Sequence, residues 1–164
     1  MRDPRLRWIS ITIVIVAVVA LIISSIGGDD DGPQGELEVV ELTAVDAAVV
    51  ISAEVADERD ERIRGLSGRE SLEPDHGMLF VNDADVEAAF TMMDTLIPLS
   101  IAFLSADGTV LEILDMQPCE QDPCPTYTPM SAYRQALEVN LGAFGMWGIE
   151  PGDRIEPVMA QGTG

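Results

Sequence analysis

The sequence predicts a mostly β domain (α+β), a small barrel or sandwich with one or two short helices, preceded by one N-terminal transmembrane helix. Three observations point there. Residues 77–108, GMLFVNDADVEAAFTMMDTLIPLSIAFLSADG, read as three apolar strands at 78–81, 86–92 and 99–104. Their breaks at Asn82-Asp83, at the 94–98 corner and at Asp107-Gly108 hold residues that bond their own backbone, fix φ or permit positive φ. Further β-branched or alternating runs lie on both sides of this stretch. Finally, residues 8–26 form an uncharged run, WISITIVIVAVVALIISSI.

That run is close to the ~20 residues needed to cross a bilayer core. Arg2, Arg5 and Arg7 precede it and Asp29, Asp30 and Asp31 follow. The asymmetry of basic charge orients the N-terminus to the cytoplasm and the acidic body outside the cell membrane. A cleaved signal peptide competes with this reading, but Ser24-Ser25-Ile26-Gly27 is a poor cleavage site and no Cys follows. An uncleaved anchor over residues 1–26 is therefore expected. Residues 27–35, GGDDDGPQG, make an acidic Gly/Pro linker, since they contain no apolar residue.

The extracytoplasmic β domain is expected over residues 36–158. Residues 36–43 alternate and 47–55 are β-branched, two strand signatures. In DERDERIRG, Asp57 is the expected N-cap, Glu58 and Glu61 fall in the first turn, and Arg62 and Arg64 fall late. Gly65 then stops a short helix. After the central stretch, Asp107-Gly108 turns a hairpin and 109–116 returns as a strand. Residues 117–129 form a loop with four Pro. Residues 133–140 read as a strand, the Gly-interrupted 141–149 as one or two helical turns, and 154–158 as a last short strand. Residues 159–164 read as a disordered tail.

Charge narrows the function classes. The net charge is −20, and the segment before Trp8 carries +2, which leaves −22 on the rest. Such a body repels phosphate backbones and anionic surfaces, so no nucleic-acid partner is expected. All nine basic residues are Arg, with no Lys. An acidic, Lys-free surface suits a high-salt medium, where a Debye length of roughly 3 Å at 1 M screens the self-repulsion. A merely acidic surface in an ordinary organism is the alternative.

From Arg64 to Gly108 the sequence resembles the family catalogued as domain of unknown function 192. The matching pieces are GLSGRESL from Gly65, HGMLFV from His76, FTMMDTLIPLSIAF from Phe90, and Asp107-Gly108. Leu137-Glu138, Gly142 and Gly152-Asp153 also fit. Thr91 stands where that pattern commonly has Trp, and Ser100 where it commonly has Asp. The resemblance covers most of residues 36–158. It implies a compact, mostly β domain, often secreted or membrane-tethered, with no agreed activity.

The chemistry-bearing residues are few. His76, the one histidine, reads as a turn residue rather than a catalyst. Cys119 and Cys124, with four residues between them in the Pro-rich loop, are expected to form a disulfide outside the cytoplasm. Two Cys are too few for a closed zinc site, so no metal or other cofactor is expected. The acidic turn at Asn82, Asp83 and Asp85 reads as solvated, and Met92-Met93 as core. Neither a phosphate-binding glycine loop nor a Ser elbow is present in the sequence. The one expected polar constellation is a binding site of Arg69, Asp94, Thr95 and Glu138 on one rim, with Arg69 and Glu138 paired because each is flanked by apolar sequence. A structural role, with Arg69 and Glu138 locking the helix to the sheet, competes with it.

Two functions stay open. One is a non-enzymatic binding or accessory module of the cell envelope, with a carbohydrate or protein partner. The other is an envelope hydrolase or other enzyme with a carboxylate-based site. The lack of a nucleophile–base set favours the first.

Overall fold

The computed structural model describes residues 37–44, 47 and 49–158. The expected anchor at 8–26, the linker at 27–35 and the tail at 159–164 lie outside the described residues. Among the described residues, nine strands and two short helices follow one another: β1 Val39–Ala44, β2 Val50–Ala56, α1 Arg59–Arg64, β3 His76–Val86, β4 Phe90–Thr91, β5 Leu99–Leu104, β6 Val110–Met116, β7 Thr126–Tyr127, β8 Tyr133–Asn140, α2 Ala143–Trp147 and β9 Ile155–Pro157. Among the described residues, no helix is long and apolar enough to cross a membrane.

Seven strands form one sheet in the order β6-β5-β8-β3-β2-β1-β9. All pairings are antiparallel except β2 with β3, whose crossover carries α1. The sheet curls into a half-barrel. Its two edges meet at one end, where Thr109 bridges Arg154, the Gly152 N–H donates to Val110 O, the Val110 N–H to Asp153 O and the Ile155 N–H to Gly108 O. Gly108, at φ 84, turns the chain into that seam, where a Cβ would collide with the Ile155 carbonyl. A half-barrel stitched at one end thus replaces the closed barrel or two-sheet sandwich.

Both faces of the sheet are covered, and strand periodicity shows how. Along β8, Leu137 and Val139 join a core on the concave face with Leu42, Ile51, Leu79 and Leu104. Ala136 points to the other face, into a core with Met78, Phe80, Ile101, Phe103 and Tyr133. Every residue of β5 is buried, which is why LSIAFL shows no alternation.

Several local expectations are corrected. Asn82-Asp83 does not break β3, which runs on to Val86 with its irregularity taken up against β8 between Val81 and Val86. Residues 86–92 do not form one strand: Val86 ends β3, and of 87–92 only Phe90–Thr91 is a strand, pairing with Thr126–Tyr127 in a separate two-stranded ribbon. The cap of α1 is Glu58 rather than Asp57, its N–H donating to Glu61 Oε2 at 3.0 Å. Gly65, at φ 50, ends the helix as its sequence implies. His76 opens β3 opposite Ser52 instead of lying in a turn.

Candidate functional site

Glu138 sits near the middle of the convex face. Residues paired across a sheet share a face, so Val39, Glu54, Met78, Glu138, Ile101 and Leu114 form one row across six strands. The immediate neighbours of Glu138 in that row, Met78 and Ile101, are apolar and buried. Glu138 itself is only 5% exposed, and its carboxyl makes no hydrogen bond among the described residues. Burial alone pushes its pKa up to about 8, because desolvation disfavours the ionised form.

This carboxyl lines a cleft of about 500 Å³ on the convex face. One wall is the end of α1 and the loop after it, from Arg62 to Ser67. The opposite wall is the segment from Ala88 to Thr95, and Phe80 and Tyr133 complete the lining. The aromatic rings interlock. Phe80 and Phe90 meet edge to face with centroids 5.1 Å apart, and Phe90 and Tyr133 lie 6.3 Å apart. Tyr133 is fixed by its hydroxyl, which donates to the Ala88 carbonyl at 3.0 Å. Desolvation pushes its pKa up to about 12. Arg62 is held by backbone carbonyls, its Nη1 donating to Val81 O at 3.0 Å and to Asp57 O. Arg64 is exposed at the edge.

The wall formed by residues 92–95 is braced from two sides. Asp94 has φ 57, a conformation Asp tolerates better than most residues. Its carbonyl accepts from the Gly68 N–H at 2.8 Å and from Ser67 Oγ at 3.4 Å, and its own N–H donates to Cys119 O at 3.1 Å. Cys119 and Cys124 are disulfide-bonded, and Cys124 Sγ lies 3.8 Å from Met93 Sδ, another lining residue. The Pro-rich loop thus buttresses the cleft from behind. Thr95 is 94% buried and lines the cleft, and exposed Thr91 faces the same opening. Ser100, the other position departing from the expected family pattern, does structural work. It donates to Asp115 Oδ1 at 2.5 Å and accepts from the Gly142 N–H at 2.8 Å, fixing the entry to α2.

Of the four residues singled out from sequence, the structure brings Asp94, Thr95 and Glu138 to one cleft and places Arg69 elsewhere. The expected Arg69–Glu138 pair is corrected: Arg69 Nη2 bonds Glu54 Oε2. Sheet order is the reason. Glu54 and Glu138 lie on the same face with β3 between them, roughly 10 Å apart at ~4.8 Å per strand. The chain leaving α1 passes over β2, so Arg69 meets Glu54 first. That pair borders a second, smaller hollow of about 290 Å³ with His76 and Glu73. Sequence reasoning missed Phe80, Phe90, Tyr133 and Arg62, whose convergence needs the sheet order. Among the described residues, no three His, Cys, Asp or Glu side chains gather to hold a metal ion.

The family model for domain of unknown function 192 (DUF192), described as "Uncharacterized ACR", matches residues 40–157. The chain belongs to the DUF192 family. Two solved structures share the fold. One, from Sinorhizobium meliloti 1021 and put forward as a transcription regulator, is 27% identical with a TM-score of 0.69, over 74% of this chain and 95% of that one. The other, a protein of unknown function from Novosphingobium aromaticivorans DSM 12444, is 30% identical with a TM-score of 0.68, over 76% and 89%. No curated protein matches the chain. The DUF192 motif around Phe90 supplies one wall of the cleft, and Leu137-Glu138 supplies its buried carboxyl.

Proposed function

We propose that this DUF192 protein is a non-enzymatic small-ligand-binding module of the cell envelope, carried outside the membrane by residues 8–26 in a high-salt organism. One observation carries the reading. The Glu138 carboxyl, 5% exposed and without a hydrogen-bond partner among the described residues, lines a 500 Å³ cleft with three aromatic residues. An apolar pocket with a few convergent polar groups is the usual form of a ligand site. The −22 body argues against a nucleic-acid partner. An envelope carbohydrate or a protein side chain remains the expected source of the ligand.

The anchor is tested by fractionating cells and measuring the intact mass. A membrane-bound product retaining residues 1–26 fits, and a soluble product starting near Gly27 overturns the tether. Binding is tested in molar salt by thermal shift against envelope sugars, amphipathic amines and carboxylates. The expected result is a ligand that raises the melting temperature of the wild type but not of Glu138→Gln. The absence of any such compound would overturn the binding reading.

A second reading has one observation of its own. Glu138, kept protonated near neutral pH by burial, shares the cleft with the exposed Asp94 carboxylate. An acid and a carboxylate in different environments are the parts that glycoside hydrolysis uses. Mass spectrometry of the recovered ligand separates the two readings: unchanged ligand supports binding, and cleaved ligand supports an envelope hydrolase.

A further inference from the structure

We infer that the cleft takes an organic ammonium ion, its charge set on the Glu138 carboxylate and its carbon substituents against Phe80, Phe90 and Tyr133. The inference rests on the reading of the cleft as a binding site and names its ligand class. Glu138 is more than nine-tenths buried, lines the cleft, and has no hydrogen-bond partner among the described residues. Its neighbours across the sheet are Met78 and Ile101, and Ala136 precedes it on the same face of β8, so the floor offers no titratable group besides the carboxyl.

The remaining charged or titratable groups lie on the walls. Arg62 and Arg64 come from α1, Asp94 from the opposite segment, and Tyr133 from β8. Arg62 donates from Nη1 to two backbone carbonyls, and Arg64 is exposed to solvent. The Tyr133 hydroxyl is spent on Ala88 O. Among the described residues, no cation pairs with the Glu138 carboxyl.

Three ligand charges can be compared on this floor. An anion would bring a second negative centre beside Glu138, with which neither Arg62 nor Arg64 on the wall forms an ion pair. A neutral molecule could accept one hydrogen bond from the protonated acid, but it leaves the carboxyl un-ionised. An ammonium ion ionises Glu138, pairs with it in a water-poor site, and lays its methyl or methylene groups on aromatic faces. The rim Asp94 carboxylate and the net charge of −20 draw the same ligand by long-range attraction.

The test uses three probes of one shape and different charge: tetramethylammonium, tert-butanol and pivalate. Each is titrated by NMR into the protein at constant molar NaCl. Tetramethylammonium is expected to shift resonances of Phe80, Phe90 and Tyr133. Since binding requires the ionised carboxyl, its affinity should rise about tenfold per pH unit from about pH 6 and level off above about pH 8. Glu138→Gln, with folding checked by circular dichroism, should weaken it at least about tenfold. If that variant does not fold, the wild-type pH profile decides alone. Affinity for tetramethylammonium that is flat across this range, or unchanged in Glu138→Gln, overturns the inference. So does Glu138-dependent binding of pivalate or tert-butanol in its place, although the binding reading then survives. Silence from all three probes overturns both.

Discussion

Glu138→Gln should stabilise the protein, and increasingly so as the pH rises. The folded chain holds the Glu138 proton with a pKa of about 8, against an ordinary value of 4.5. Below about pH 4.5 the acid is neutral in both folded and unfolded chains, and the advantage of the neutral form is fully present. As the pH rises the unfolded chain releases its proton first, and folding loses about 1.4 kcal/mol per pH unit until the folded chain also ionises near pH 8. Integrated over that window the loss is about 5 kcal/mol, with about 2 kcal/mol already gone at pH 6. Glutamine keeps the shape and removes the titration. The stability gap between variant and wild type should therefore widen by about 3 kcal/mol from pH 6 to pH 9. For a domain of this size that is roughly 12 °C in melting temperature. Thermal melts of both proteins at fixed molar salt measure the gap directly. A gap that stays constant across this range would mean that Glu138 is ionised and paired in the folded state, and the buried-acid argument would fail.

Three further outcomes follow from the same geometry. Reducing Cys119–Cys124, or replacing both with Ser, should cost about 2 kcal/mol from loop-closure entropy, and should broaden the NMR resonances of Met93 and Asp94, because Cys119 O accepts from the Asp94 N–H; unchanged resonances would separate the loop from the cleft. Lowering salt from molar to millimolar should lower the melting temperature, since a body of −22 is then unscreened; a flat or rising trend would count against the high-salt reading. A double-mutant cycle on Arg69→Ala and Glu54→Ala should give a coupling of about 1 kcal/mol or less, because both side chains are about one-third exposed; zero coupling between them, or coupling of Arg69 to Glu138 instead, would contradict the pairing.

Local chemistry was readable wherever neighbours in sequence decide the structure. The short helix with acidic residues in its first turn and basic residues in its last, its stop at Gly65, the hairpin at Asp107-Gly108 and the β8 strand all depend on residues within a few positions of each other. Reading failed where a distant strand decides. Asn82-Asp83 carries turn residues, yet β8 holds β3 straight through to Val86, at the cost of an irregular register. Residues 86–92 have strand composition, but β5 and β3 both pair with β8, which leaves that segment to cross the convex face and pair with β7. Tertiary pairing overrides β propensity in this way because propensity mostly measures fit to neighbours.

Glu138 shows where the two kinds of information meet. The sequence YRQALEVN places Ala136, Glu138 and Asn140 on one face of a strand and Leu137 and Val139 on the other. LSIAFL, apolar but for Ser100, announces a strand buried on both faces. Together these facts put a carboxyl inside a core from sequence alone. What they could not decide is its partner. An Arg was the economical choice, because a buried unpaired charge is costly. Once β3 stands between β2 and β8, Arg69 is used up on Glu54, two strands away from Glu138. The neutral acid is the alternative solution to the same electrostatic problem, and it costs stability at every pH above the ordinary range of Glu. A merely structural role would be served better by Gln or Leu at this position, beside Met78 and Ile101. That a titratable group stands there, lining an aromatic cleft, is the physical argument for a ligand that completes it.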